Sequence, residues 1–204
     1  MTFSIWLSLL MICILGAMSP GPSLAVVAKH SLTGGRLHGV VTSWAHAIGV
    51  GFYALLTLLG LAVLLKQSPT LFAAITYAGA AYLAYLGVNA LCSKGGVAAK
   101  LAAGKPVKLA EAARDGLMIS LLNPKLALFF LALFSQFVAV GTEISSRAVI
   151  VATPLLVDGL WYTLIASVLS NPKVLDKLRL KAQLIDRLSG VVLILLALRV
   201  IVQV

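Results

Sequence analysis

Groups able to do chemistry inside the apolar segments of this 204-residue chain are few and sit at informative places. Ser19-Pro20-Gly21-Pro22, followed by Ser23, interrupts the first apolar segment, and Asn123-Pro124-Lys125 interrupts a later one. Asp158, with Trp161 and Tyr162 about a turn beyond, stands in the middle of another; His46 and Gly49 are secondary candidates. Proline donates no N–H and clashes with the preceding turn, so a helix kinks or breaks at these points. Gly21 accepts whatever dihedral the first break needs. Lipid offers no partner for the freed backbone groups, so such a break survives only when buried in protein or lining a wet cavity. Two readings follow: a packing kink, or a substrate site where half-helix ends present their dipoles to a ligand.

Asp158 lies eleven residues from Arg147 and twelve from Ser170, near mid-membrane. A carboxylate there is costly unless paired, hydrated or protonated. Its default role is proton carrier or partner of a cation, and the alternative is a structural pair. Lys125 either serves the site or snorkels to the near surface. Asn123 adds an amide beside the same break. His46 has no histidine or acid at the i, i+4 spacing of a helical metal site, which points to a hydrogen bond with a neighbouring helix. Arg199 is expected to snorkel outward. Cys13 and Cys92 form no CxxC or Cys/His cluster, so neither a metal nor a cofactor is expected.

The elements that must position these groups are membrane helices. The chain is 61% hydrophobic and 11% charged, with a mean hydropathy of +1.06, and its apolar runs are long and continuous instead of alternating. The net charge of +10 does not point to nucleic acid, because the basic residues fall in short loops between apolar segments. No basic side chain occurs in residues 1–7, so the first segment does not read as a removed signal peptide. Six spans are expected, at about 3–28, 39–65, 71–92, 114–140, 147–170 and 187–204. The connections at 29–38, 93–113 and 171–186 are basic and the others are not, which places these three in the cytoplasm and both termini outside.

Six spans divide as three and three. An odd number per half forces the halves into opposite orientations, the geometry of an inverted repeat, with the first helix of each half broken. Residues 1–204 thus read as one transmembrane transporter domain: repeat one about 1–92, a basic loop about 93–113, and repeat two about 114–204. Small residues at Ala45-x-x-x-Gly49 and Gly79-Ala80-Ala81 let helix backbones approach closely. The apolar outer faces are compatible with a homodimer, although lipid-facing and partner-facing residues look alike.

Taken in order, these motifs resemble the lysine exporter / homoserine-threonine resistance (LysE/RhtB) family of bacterial amino-acid exporters over nearly the whole chain. The resemblance is carried by Ser19-Pro20-Gly21-Pro22, Gly34-Gly35-Arg36 and Gly39; by Gly60-Leu61-Ala62 and Gly79-Ala80-Ala81-Tyr82-Leu83; by Gly116 with Leu122-Asn123-Pro124-Lys125; and by Asp158 with Trp161-Tyr162 and Leu188-Ser189-Gly190. The chain departs from the family at Ser23, where Asn is usual, and at Ala45 and Val50, positions that bear on substrate choice. The resemblance implies a multi-pass exporter in the bacterial inner membrane that moves amino acids or their derivatives, by proton antiport with alternating access. The first break, with Lys125, would meet a substrate carboxylate; Asn123 and Ser19 would hydrogen-bond either end. Asp158 would take either the ammonium or a proton. Exporters of another small solute or of a metal cation on the same fold are the alternative. A membrane hydrolase would need a serine–histidine pair, paired acids or a metal set, and no such constellation stands out along the sequence.

Overall fold

The computed structural model describes residues 1–93, 107–140, 143–169 and 180–203, and these form helices without strands. The order is α1 (Phe3–Met18), α2 (Pro22–Gly34), α3 (Arg36–Gln67), α4 (Pro69–Leu91), α5 (Leu109–Leu121), α6 (Pro124–Phe134, continued by a 3₁₀ turn at Ser135–Phe137), α7 (Ile144–Leu169) and α8 (Ala182–Gln203). Both expected breaks are present. The axes of α1 and α2 meet at 62°, and those of α5 and α6 at 50°. The helix after each break starts with proline, Pro22 in α2 and Pro124 in α6. Proline fits this position because its missing N–H would have no intrahelical partner there anyway.

Helix ends differ from the sequence expectation where polar residues are absorbed into helix. The connection expected at 29–38 is almost entirely helical: α2 runs on to Gly34, and Gly35 alone separates it from α3. Gly35 has φ +81°, a left-handed conformation that glycine adopts without strain. Likewise α5 begins at Leu109, ahead of the expected 114, with Glu111, Arg114 and Asp115 on its first two turns. The basic side chains expected at 94–105 and 173–179 lie outside the described residues. Three helices (α3, α4 and α7) are long and apolar enough to cross a membrane, and counting each bent pair as one span gives up to five. In α8, every 18-residue window holds Asp186, Arg187 and Arg199, so it does not meet the same standard.

The long helix α3 is the packing axis. It lies against α7 on one side and α5 on another, while α4 packs along α8. The core gathers Leu9 and Ile12 of α1, Leu58 and Leu61 of α3, Leu83 of α4, Ile150 of α7 and Leu196 and Val200 of α8 around a row of phenylalanines from α6. Those rings, Phe129, Phe130, Phe134 and Phe137, meet one another edge-on or tilted at centroid distances of 5.7, 4.4 and 5.9 Å. Lipid is as apolar as leucine, so close backbone approach has to supply much of the association. A Cβ at Gly190 of α8 would lie 2.6 Å from the Gly87 carbonyl oxygen of α4, and a Cβ at Gly49 would run into the Ser120 side chain of α5. The Arg199 guanidinium donates to Ser8 Oγ, tying α8 to α1.

The closest backbone approach is at Gly116, where an added Cβ would strike the Thr42 carbonyl oxygen, which cannot swing aside. Gly116→Ala is therefore expected to cost about 1–3 kcal/mol through overpacking. Gly60→Ala, in the same bundle but with nothing within 4 Å of the added Cβ, is expected to be neutral or stabilising by up to ~1 kcal/mol. Denaturation midpoints in detergent micelles compare the two; equal midpoints would show that the α3–α5 contact is not tight.

Candidate functional site

The two breaks face each other. Lys125, the second residue of α6, extends its ammonium into the first break, where Nζ donates to Ser19 O at 2.8 Å, Ser19 Oγ at 2.8 Å and Pro20 O at 3.4 Å. These are the carbonyls that the proline break freed, so the lysine satisfies them directly. Of the two alternatives for Lys125, snorkelling and a place in the interior, the geometry gives the interior. Among the described residues no carboxylate lies within ion-pair distance of Lys125. At the second break, Asn123 caps α6 by accepting from the Lys125 N–H at 3.0 Å, and Tyr53 of α3 donates its hydroxyl to the freed Leu121 carbonyl at 2.7 Å. Asn123 Nδ2 donates to Ser23 Oγ at 3.2 Å, a second link between the breaks. No side chain caps α2.

A buried polar chain continues from Ser23. His46 Nε2 lies 2.8 Å from Ser23 Oγ, and His46 Nδ1 lies 2.7 Å from Asp158 Oδ2. When Asp158 is ionised it can only accept, and Nδ1 then carries the proton and donates to it. The imidazole is 0% exposed and the Tyr162 ring packs edge-on against it, with centroids 5.3 Å apart at 74°. His46 is thus joined to two other helices. Its partners, Ser23 and Asp158, lie 23 and 112 positions away, beyond the reach of any local pattern. The serine–histidine–acid series that did not stand out along the chain is assembled by tertiary contacts.

These groups line one internal cavity of about 40 Å³. Ser19, Gly21, Ser23, Asn123 and Lys125 form its break side; His46, Asp158 and Tyr162 form its other polar wall. Cys13, Gly16, Val50, Phe129 and Phe130 are among the residues that close it. Of the departures from the family pattern, Ser23 and Val50 touch this cavity and Ala45 does not. At about 40 Å³ the cavity has room for ordered water, one molecule of which needs roughly 10–15 Å³ on this measure. Two sequence candidates lie elsewhere. Trp161 lines an apolar groove between α1 and α7, and Gly49 packs α3 on α5. Pro22 and Pro124 set the helix starts with their rings exposed.

A second polar cluster joins the same helices at the far end of α2. Buried His30 donates through Nε2 to Asp115 Oδ2 of α5 at 3.0 Å, with Lys29 at 3.5 Å from the same oxygen. His30 falls in a connection on sequence grounds; only the extension of α2 and α5 into the expected connections brings the pair together.

Removing the acceptor from His46 separates charge from hydrogen bonding. Asp158→Leu leaves a buried Nδ1–H without a partner and is expected to lower stability by about 1–3 kcal/mol more than Asp158→Asn, whose carbonyl still accepts. Thermal denaturation of the two variants in one detergent measures the difference, and a Leu variant as stable as the Asn variant would place His46 in a different hydrogen-bond arrangement.

Comparison with known proteins agrees with this architecture. The family described as LysE type translocator matches residues 14–204. The chain is 28% identical over 189 residues to the threonine efflux protein of Escherichia coli (strain K12), covering 91% of this chain and 92% of that protein. It is 31% identical over 189 residues to the uncharacterized membrane protein YahN of the same strain, covering 91% and 83%. It is 34% identical over 121 residues to the leucine efflux protein of Salmonella choleraesuis (strain SC-B67), covering 59% and 57%. No solved structure gives a significant match. With the family's pattern spanning all but the first residues of the chain, this protein belongs to the LysE type translocator family.

Proposed function

We propose that this translocator exports amino acids across a bacterial inner membrane in exchange for protons, holding the zwitterion between Lys125 and Asp158. The observation that carries this reading is the placement of opposite charges in one cavity: an ammonium that meets only neutral oxygens, and an acid set apart from it on α7. A free amino acid carries the complementary pair. Its carboxylate would meet Lys125 and the uncapped first turn of α2, where the helix dipole favours an anion. Its ammonium would meet Asp158. Asn123, Ser19 and Ser23 supply hydrogen bonds between the two poles.

The efflux proteins among the relatives support amino acids as the cargo class, and their names point to uncharged side chains. The pairing of α3 with α7 and of α4 with α8 supports a six-span reading in two inverted halves, each opening with a broken helix. Basic connections on one side favour external termini, and a homodimer through the apolar outer faces remains part of the proposal. In this reading the halves part on one side to admit cargo and on the other to release it.

Efflux from proteoliposomes loaded with a panel of labelled amino acids, with and without external acidification, tests the reading. Selective efflux that external acid accelerates is expected. Asp158→Asn and Lys125→Gln are each expected to slow it by roughly 10- to 100-fold, the loss of one charge-assisted hydrogen bond at each pole. Folded protein that moves no amino acid would sink the proposal.

A further inference from the structure

The notion of Asp158 as the site where proton and ammonium compete leaves His46 unexplained, and the geometry assigns it a part. We propose that His46 is the proton carrier: as imidazolium it occupies Asp158 in the cargo-free protein, and the substrate ammonium displaces it as its proton leaves. This deepens the amino-acid reading and rests on it.

Four observations converge. First, His46 Nδ1 is 2.7 Å from Asp158 Oδ2, so the ring already occupies the acid that the cargo needs. Second, the imidazole is fully buried on the wall of the cavity, beside the acid that the cargo ammonium would meet. Third, Nε2 faces Ser23 Oγ at 2.8 Å, a partner that suits both charge states. The serine hydroxyl donates to a neutral ring and accepts from a charged one, since a hydroxyl turns freely. Asn123 Nδ2 also donates to this oxygen, which links the ring's state to the second break. Fourth, the charges facing His46 leave it one anion. The titratable groups around the cavity are Cys13 on α1, Lys125 on α6, and Asp158 and Tyr162 on α7. Asp158 is the acid among them, and Lys125 is held off at the first break.

Charge balance fixes the coupling. Asp158 accepts one cation at a time, the imidazolium or the ammonium, while Lys125 keeps its charge throughout. On the cytoplasmic side the imidazolium gives its proton to water and releases Asp158 to the incoming ammonium. On the outer side the ammonium leaves, the ring takes a proton from water and re-engages the acid. One proton enters for each zwitterion exported, so the cycle moves one positive charge inward.

The decisive experiment uses the purified full chain and L-threonine, with L-leucine as a second probe. In weak buffer at mildly acidic pH, wild-type protein is expected to release about one proton per threonine bound, read with a pH dye, as linkage requires when one site exchanges a proton for a ligand. His46→Gln removes the competing imidazolium, so its threonine affinity is expected to lose the pH dependence of wild type, and binding is expected to release no proton. In proteoliposomes the variant is expected to keep threonine–threonine exchange and lose acceleration by external acid. His46→Asn repeats the measurement should the Gln variant misfold. Proton release that persists in a folded variant would return the proton to Asp158 and overturn the proposal. Loss of exchange together with coupling in a folded variant would make His46 a structural residue and overturn it too. If the wild type binds and moves neither amino acid, the cargo assignment itself falls, and this inference with it.

Discussion

The structure depends on one constraint: two broken helices in an apolar bundle must satisfy the backbone groups that their prolines set free. They do so mostly through each other. Lys125, carried by the start of α6, spends its three donors on Ser19 and Pro20 oxygens at the end of α1. Asn123 caps its own helix with its oxygen and reaches Ser23 with its nitrogen. Without these links each break would expose polar backbone to hydrocarbon, a cost of several kcal/mol per group. The need to bury the breaks therefore creates the polar cavity, because groups that cannot face lipid converge in the centre of the bundle.

The same constraint makes the cavity electrically lopsided. Lys125 is coordinated by neutral oxygens, while Asp158 is engaged by His46, so the positive and negative poles are not paired with each other. A direct ion pair would have neutralised both and left little for a zwitterion to bind. Keeping the poles apart preserves two sites of opposite sign, as the proposed zwitterionic cargo would need. The phenylalanines of α6 and the Gly16 contact with Phe129 close the cavity on its apolar side, which keeps the local dielectric low and the polar contacts strong.

Around this centre the helices associate through close contacts at small residues as well as through the leucine and phenylalanine core. Gly116 against Thr42, Gly190 against Gly87 and Gly79 against Ala132 bring backbones close over smooth surfaces. Such surfaces can slide or rock with little repacking, whereas the hydrogen bonds at the breaks are discrete and either made or broken. That contrast fits the alternating access proposed above, in which shallow contacts would guide a movement and the polar contacts at the centre would set which arrangement holds.

How much of this was legible in the chain follows from the range of each interaction. Proline acts on its own helix, so both breaks and the residues beside them could be read from Ser19-Pro20-Gly21-Pro22 and Asn123-Pro124-Lys125. The buried acid was legible because one charge in an apolar run is anomalous wherever it lies, and the family pattern followed from the order of these local features. The ends of α2 and α5 were not, because their polar turns are stabilised by the His30–Asp115 contact between helices and read locally as loop. Nor was the burial of Lys125: eleven residues into an apolar segment, a flexible side chain reaches either surface or interior, and only the facing break decides. His46 is the clearest case. Its type and position are ordinary for a membrane helix, and its place between Ser23 and Asp158 comes from packing α3 against α2 and α7. The sequence by itself determined a membrane bundle with two breaks and a lone acid, since those properties act within a turn or two of chain. The tertiary structure decided that the breaks meet and that the acid has a histidine, since those depend on contacts between residues far apart in sequence.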